Sequence, residues 1–285
     1  MMSIHETQWE QLTQVNDSRL LEARGQLHQA VQLLTAVGIS FVGQKPDDSH
    51  TALLWDSESN VFLSQAFGPE LNFQLGLKPQ NLSCQVIHNR ETLLTLKLNR
   101  TTLKQVASDL QFFLEDHGLP KDVFTMERHF ELPDYPDRWL SPFDILDQDA
   151  FDVFSSAYSN AYSSIAEIAG KDSRAGNQLI WPHHFDMAIL LTLNQGKSIG
   201  VGMSPGDTNY IAPYYYVNVW PYPSEDQIKD QPLTDGKWHT EGWTGMVLTL
   251  DQIVRKNEPG AQKGVVQTFL REAMLHAKAI TEGSH

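Results

Sequence analysis

Two scarcities limit what this sequence can be: it has one cysteine, Cys84, and few basic residues. A single thiol has no internal partner for a disulfide and no second thiol for a cysteine-based zinc site. Lysine and arginine number 21 against 35 aspartate and glutamate residues, so the net charge is -14. Such a chain repels phosphate backbones and anionic lipid surfaces. We therefore expect neither nucleic acid nor a membrane as its partner.

Long apolar runs are also missing. No stretch approaches the roughly 18 consecutive apolar residues of a membrane-spanning helix. The N-terminal segment lacks the basic start and apolar core of a secretory leader, and no glycine-rich phosphate loop, dinucleotide fingerprint or kinase signature is present. Because an unpaired cysteine fits a reducing compartment, the expected location is cytoplasmic.

The apolar residues that are present, 41% of 285, can form a sizeable core. Helical spacing of apolar residues predicts helices over 17–37, 101–119, 149–170 and 261–280. Between them lie short segments rich in β-branched and aromatic residues, separated by Asp, Asn, Ser, Gly and Pro. Each half of the chain has about five such segments, which predicts an α+β fold with two antiparallel meanders flanked by helices.

The two halves share an order of elements. The first strand of each half has a similar sequence, "TALLWD" and "NQLIWP". We infer an N-terminal half over 1–126, a proline-rich connector over 127–147 and a C-terminal half over 148–285. An internal duplication explains the similarity, although helix–meander–helix is common enough for coincidence to be the alternative.

The stretch "IWPHHFDMAILL" places two histidines and an aspartate inside an apolar segment. In an extended strand His184 and Asp186 share one face and Phe185 takes the other. Such a pair can ligate a divalent metal. The metal set would be His184, Asp186, Asp207 and Glu241, with His239 as a further candidate. The alternative is a hydrogen-bonded cluster at the end of a strand.

A second candidate feature is the strand "PYYYVNVWPYP". Alternation places Tyr214, Tyr216 and Trp220 on one face together with Asn218. Aromatic rings with polar tips suit a small organic ligand, since they offer contact area and a few directed hydrogen bonds. Packing in the core or at an interface is the alternative.

"GMSPG" formally matches the G-x-S-x-G nucleophile elbow. That elbow needs a helix after Ser204 and a backbone N–H on the following residue, and Pro205 has none. We therefore interpret "SPGD" as a turn that fixes Asp207 near the site. In the N-terminal half, His28 and Gln32 lie one helical turn apart and can face the meander together.

These residues resemble a broad family of bacterial proteins that is known as a domain of unknown function. The matching residues are Trp181, Phe185, Asp186 and Ala188, followed by "SPGD" and "YYYVNVWP". His28, Gln32 and Leu27 fit a weaker Leu-His-x-x-x-Gln pattern of that family, whereas the Gly-Lys that often follows is absent. The resemblance implies a site around Asp186, with His28 and Gln32 contributing, and it implies no activity.

The resulting functional expectation is a small-molecule-binding protein with a pocket at the junction of the two halves. Its ligand-binding residues would be Asp186, His184, Asp207, Tyr214, Tyr216, Trp220, His28 and Gln32. One alternative is a metal-dependent hydrolase or lyase built on His184 and Asp186. Another is a protein-interaction domain that uses the tyrosine- and tryptophan-rich strand.

Overall fold

The computed structural model describes residues 8–68, 72–228 and 231–283. The described helices are α1 (Asp17–Ala30), α2 (Gln32–Phe41), α3 (Leu103–Asp116), α4 (Gln148–Ala169), α5 (Glu225–Ile228), α6 (Leu250–Val254) and α7 (Pro259–Glu282). The described strands are β1 (Leu54–Asp56), β2 (Val61–Leu63), β3 (Gln74–Lys78), β4 (Ser83–His88), β5 (Glu91–Lys97), β6 (Leu179–Trp181), β7 (Asp186–Thr192), β8 (Ser198–Ser204), β9 (Tyr214–Trp220), β10 (Lys237–His239) and β11 (Gly245–Thr249).

Helices combined with antiparallel sheets confirm the predicted α+β class. The chain divides into two units, neither of which is continuous in sequence. The first unit contains Asn16–Ser155 and Leu179–Phe185, and the second contains Ser156–Gln178 with the described parts of Met1–Val15 and Asp186–His285. These units differ from the predicted contiguous halves, and α4 begins in the first unit and ends in the second. Within the described residues, no helix is long and apolar enough to cross a bilayer.

The sheet of the first unit is the predicted meander, with the order β1-β2-β3-β4-β5. Asn60 and Asn89 have positive φ in the chain reversals that precede β2 and β5, a conformation that asparagine tolerates better than most residues. Phe62, Leu75 and Val86 are fully buried. Alternation along the strands thus builds one apolar face, as expected for a sheet covered on one side.

The similar segments that suggested a duplication are neighbours in the first unit. Leu53 and Ile180 exchange two backbone hydrogen bonds, both 2.8 Å long. The second sheet also has a different order, since β10-β11-β9-β8-β7 is not a simple meander. The duplication is therefore not confirmed. The two similar segments pair with each other, and this pairing accounts for their similarity without placing them at equivalent positions of two repeats.

The sheet of the second unit has one covered face and one polar face. Helix α7 lies against β8, β9 and β11, and Tyr215, Val217 and Val219 of β9 are at most 2% exposed. The alternate residues Tyr216 and Asn218 are only partly buried. Strand β10 was missed in the sequence because it is short and its pattern, Lys-Trp-His, is not apolar.

The proline-rich segment over 127–147 lies within the first unit rather than between two units. The side-chain amide of Gln26 accepts a hydrogen bond from the Asp144 N–H (2.8 Å) and donates one to the Asp144 carbonyl (2.7 Å). Gln29 accepts from the Arg138 N–H at 3.0 Å. Prolines lack a backbone N–H, so this segment cannot form a regular ladder of backbone hydrogen bonds. Side-chain amides of α1 bind its backbone groups instead.

A buried amide joins the N-terminal segment to α7 in the second unit. Gln262 accepts hydrogen bonds from the Trp9 indole (3.3 Å) and the Leu12 N–H (2.9 Å). Its amide donates to the carbonyls of Leu12 and Lys256 at 2.8 and 3.0 Å. All four bonds come from one side chain that is 1% exposed.

Gln262→Ala should lower the free energy of unfolding by about 2–3 kcal/mol, because buried backbone groups lose their partner. Urea denaturation followed by circular dichroism measures this change. Gln267→Ala is the matched control on the same helix, where the side chain makes one solvent-exposed bond to Glu167, and its effect should stay within about 0.5 kcal/mol. Equal effects of the two substitutions would contradict the assigned role of Gln262.

Candidate functional site

The segment that holds His183 and His184 forms a turn, not a strand. Residues 182–185 reverse the chain between β6 and β7, and Phe185 has φ 61°. Its N–H donates to the Trp181 carbonyl at 2.6 Å. Strand alternation therefore does not apply to His184, which is exposed, whereas Asp186 opens β7. The prediction that Phe185 enters the core is confirmed, since its side chain is fully buried.

His28 and Gln32 hold this turn from the helices of the first unit. His28 Nε2–H donates to the Pro182 carbonyl at 2.8 Å, and the Gln32 amide donates to the same carbonyl at 3.2 Å. The His28 ring is stacked on Phe185 with centroids 5.1 Å apart. Both polar side chains are 1% exposed. They position the His-His turn, because the groups they bind belong to its backbone and its core residue.

The tautomer and charge of His28 follow from these partners. Since a carbonyl only accepts, Nε2 carries the proton and Nδ1 accepts from the Tyr135 hydroxyl at 3.3 Å. Burial lowers the pKa of His28 from 6.5 to about 4, against the raising effect of the bond to Pro182. Arg24 and Arg128 lower the same pKa further by repulsion. His28 is neutral at neutral pH and acts as a structural donor.

In the second unit, Asp186 is reached by a tyrosine from two strands away. Tyr216 on β9 is paired with Gly202 on β8, which is paired with Ala188 on β7. The Tyr216 hydroxyl donates to Asp186 Oδ2 at 2.5 Å. A Cβ on Gly202 would lie 2.5 Å from Tyr216 Cζ. Glycine at this position therefore lets the phenol cross β8.

Asp207 is satisfied by its own turn and by a second tyrosine. Its Oδ1 accepts the N–H groups of Asn209 and Tyr210 at 2.7 and 2.9 Å. Its Oδ2 accepts the Tyr214 hydroxyl at 2.7 Å. Both oxygens of Asp207 are thus occupied, whereas Asp186 Oδ1 has no hydrogen-bond or ion-pair partner among the described residues.

The two phenols are acids that stay protonated. Burial, with Asp207 as the next cause, raises the pKa of Tyr214 above its ordinary value of 10. Burial and then the charge of Asp186 raise the pKa of Tyr216 in the same way. At neutral pH both hydroxyls are hydrogen-bond donors to carboxylates, and neither is a base or a nucleophile.

His239 is held on both sides. Its Nε2–H donates to the Glu241 carbonyl at 2.9 Å, so Nδ1 accepts from the Tyr210 hydroxyl at 3.0 Å when the ring is neutral. The ring is buried and lies against Trp243, with centroids 4.5 Å apart. His239 therefore serves as a wall of the site.

Five rings of the second unit form a closed circuit, which we call the aromatic cup. Successive centroids are separated by 4.8, 6.3, 6.3, 4.5 and 5.5 Å. Neighbouring planes are inclined by 39° to 76°, so no two adjacent rings are parallel. The five residues, in order around the circuit, are Tyr210, Tyr214, Tyr216, Trp243 and His239.

Four predicted ligand residues, Asp186, Asp207, Tyr214 and Tyr216, come together at the cup. Trp220 does not, since it lies at the far end of β9, is 56% exposed and contacts Tyr222. Over the residues that the structure describes, no three His, Cys, Asp or Glu side chains form a group able to hold a metal ion. The predicted set of His184, Asp186, Asp207 and Glu241 therefore does not assemble.

The structure agrees with the exclusion of Ser204 as a nucleophile. Ser204 ends β8, no helix follows it, and its hydroxyl oxygen accepts the Gly206 N–H at 3.1 Å. Sequence reasoning did not single out Tyr210 or Trp243 as ligand residues. Their signal is tertiary. Tyr210 lies against His239 of a later strand, and Trp243 lies over Gly245, where a Cβ would be 2.5 Å from the indole.

The first unit has a separate open pocket of about 700 Å³ between α3 and the segment from Phe124 to Trp139. Lys104 and Arg128 line it together with apolar side chains. None of the predicted ligand residues lines this pocket, so it does not compete with the cup as the predicted site.

Gly202→Ala should displace Tyr216, break its bond to Asp186 and lower the free energy of unfolding by about 1–3 kcal/mol, as overpacking does. Gly264→Ala is the control. Gly264 lies in α7 with nothing within 4 Å of an added Cβ, so this change should be neutral or stabilise by up to about 1 kcal/mol. Urea denaturation of both variants measures the difference, and a neutral Gly202→Ala would refute the crossing of β8 by Tyr216.

The lowered pKa of His28 predicts a loss of stability on acidification. Between pH 6.5 and 4 the unfolded chain binds a proton at His28 that the folded protein does not bind, so the free energy of unfolding falls. At pH 4.5 this difference in proton binding at His28 lowers the free energy of unfolding by about 2–3 kcal/mol. Urea denaturation at pH 7 and 4.5 should show a smaller fall for His28→Gln than for the parent protein. An equal fall in both would contradict a buried neutral His28.

Comparisons with family models, curated proteins and solved structures found no match to this chain. The resemblance noted from Trp181, Phe185 and Asp186 therefore stays an expectation.

Proposed function

We propose that this protein binds a small organic molecule noncovalently in the aromatic cup. The observation that carries this proposal is the open oxygen of Asp186. Its Oδ2 is fixed by Tyr216, while Oδ1 has no partner among the described residues. The carboxylate is thereby oriented at one end and available to a hydrogen-bond donor at the other.

The rings around this carboxylate supply the apolar part of a binding site. Ligand sites typically combine aromatic walls with a few fixed polar groups. Here the phenols of Tyr214 and Tyr216 are immobilised by carboxylates, and the His239 ring is immobilised by two hydrogen bonds. Side chains held in place before binding lose little entropy when a ligand arrives, which favours affinity.

Binding rather than covalent chemistry fits the groups that line the cup. The phenols keep their protons, since burial and the carboxylates raise the pKa of both Tyr214 and Tyr216. Both nitrogens of His239 are occupied. Elsewhere, burial raises the pKa of Cys84 to about 12, so this thiol is not a thiolate at neutral pH.

Asp186→Asn tests the proposal with little structural change. An asparagine oxygen still accepts the Tyr216 hydroxyl, but the open position becomes an N–H donor. For ligands that raise the melting temperature in a panel of small organic molecules, this variant should weaken binding about ten-fold to a hundred-fold. Calorimetric titration of each hit measures the affinity.

Asp251→Asn is the matched control, because it removes the same charge from an exposed residue of the same unit. It should bind every hit as the parent protein does. A hit that binds Asp186→Asn and the parent protein equally well binds outside the cup, and a panel in which all hits behave so would refute the proposal.

A further inference from the structure

We infer that the ligand presents an alkylated ammonium group to the aromatic cup. This inference rests on the proposed function, and it adds the chemical class of the group that enters. It follows from the spacing of the five rings, from the charges beside them and from the position of one lysine.

The spacing of the rings suits a cation of this size. The five centroid separations average about 5.5 Å, so a flat regular pentagon with these sides places each centroid about 4.7 Å from a common centre. A cation attracted by a ring lies within about 6 Å of its centroid. A cation at such a centre would therefore lie within reach of all five rings.

The charges beside the rings favour a cation and disfavour an anion. Asp186 and Asp207 each accept a phenol of the cup, and neither forms an ion pair with a lysine, arginine or histidine of the described chain. A phenol that donates to a carboxylate has a more electron-rich ring, which strengthens its attraction for a cation. An anionic ligand group would meet two carboxylates without a compensating charge.

A lysine at the rim shows the same preference. The Lys237 ammonium lies 5.3 Å from the Tyr210 centroid, on an exposed side chain of β10. One ring of the cup thus already holds a cation of this protein against its face. Because Lys237 is exposed, it lies at the rim and does not occupy the centre.

Alkylation of the ammonium distinguishes the expected ligand from a metal ion. Ring faces offer no lone pairs, and no group of metal ligands forms among the described residues. An alkylated ammonium is weakly hydrated, so it exchanges water for ring faces at little cost, and its remaining polar groups can donate to Asp186 Oδ1.

Choline and its neutral isostere 3,3-dimethyl-1-butanol are the probes, titrated calorimetrically into the full-length protein. Choline should bind at least about ten-fold more tightly than the isostere, because only choline carries the charge. Trp243→Leu should weaken choline binding at least about ten-fold, and Trp243→Phe should restore part of the loss. Trp220→Leu, an exposed tryptophan of the same unit, is the matched control and should leave binding unchanged.

The outcomes separate this inference from the proposed function. If the isostere binds as tightly as choline and Trp243→Leu weakens both, the inference of a cation is wrong and binding in the cup stands. If choline does not bind, or binds Trp243→Leu unchanged while that variant keeps the parent melting temperature, the inference is overturned. Binding in the cup is then decided by the Asp186→Asn titrations alone.

Discussion

The arrangement of the candidate site depends on the hydrogen bond between Tyr216 and Asp186. This bond joins β9 to β7 over the top of β8, and it is possible because residue 202 has no side chain. It orients the carboxylate and fixes the phenol, so one interaction determines both the acceptor and one wall of the cup. A carboxylate that is partly buried without any donor would cost several kcal/mol. The phenol offsets part of that cost and leaves one oxygen open.

The buried polar residues of the first unit hold a turn of the backbone. His28 and Gln32 lie in the core because the Pro182 carbonyl needs donors where the chain turns. Phe185 then adopts a left-handed conformation that is costly for a bulky residue, and its stacking on His28 and its burial stabilise it. The buried polar pair thus holds the backbone of the turn that precedes β7.

The groups of the cup fit the binding that we propose. Carboxylates accept from phenols, phenols stay protonated, and the histidine is bound on both sides. The negative charge of the two aspartates agrees in sign with the net charge of -14 of the whole chain. Within the described residues, the cup combines that charge with five aromatic rings, and we propose its ligand class on this ground.

Local pattern was sufficient for the class of fold and for most elements. The alternation in "YYYVNVW" predicted which face of β9 carries Tyr214 and Tyr216, because side chains in a strand must alternate. Apolar spacing likewise predicted the long helices, although α1 and α2 are separate at Val31. The exclusion of Ser204 as a nucleophile needed only the missing N–H of Pro205 and the absence of a following helix.

Tertiary structure decided the rest, since the signals are not local. Proline and a left-handed Phe185 turn the chain where an apolar run had predicted a strand, so His184 lies outside the strand that Asp186 opens. The "LLW" and "LIW" segments pair with each other, and similarity in sequence does not distinguish partners from duplicates. The aromatic cup brings Tyr210 and Tyr216 against His239 and Trp243, which come from a later segment of the chain. In the sequence, Gly202 does not show that Tyr216 lies over it. The position of Tyr216 over Gly202 depends on the register of β7, β8 and β9.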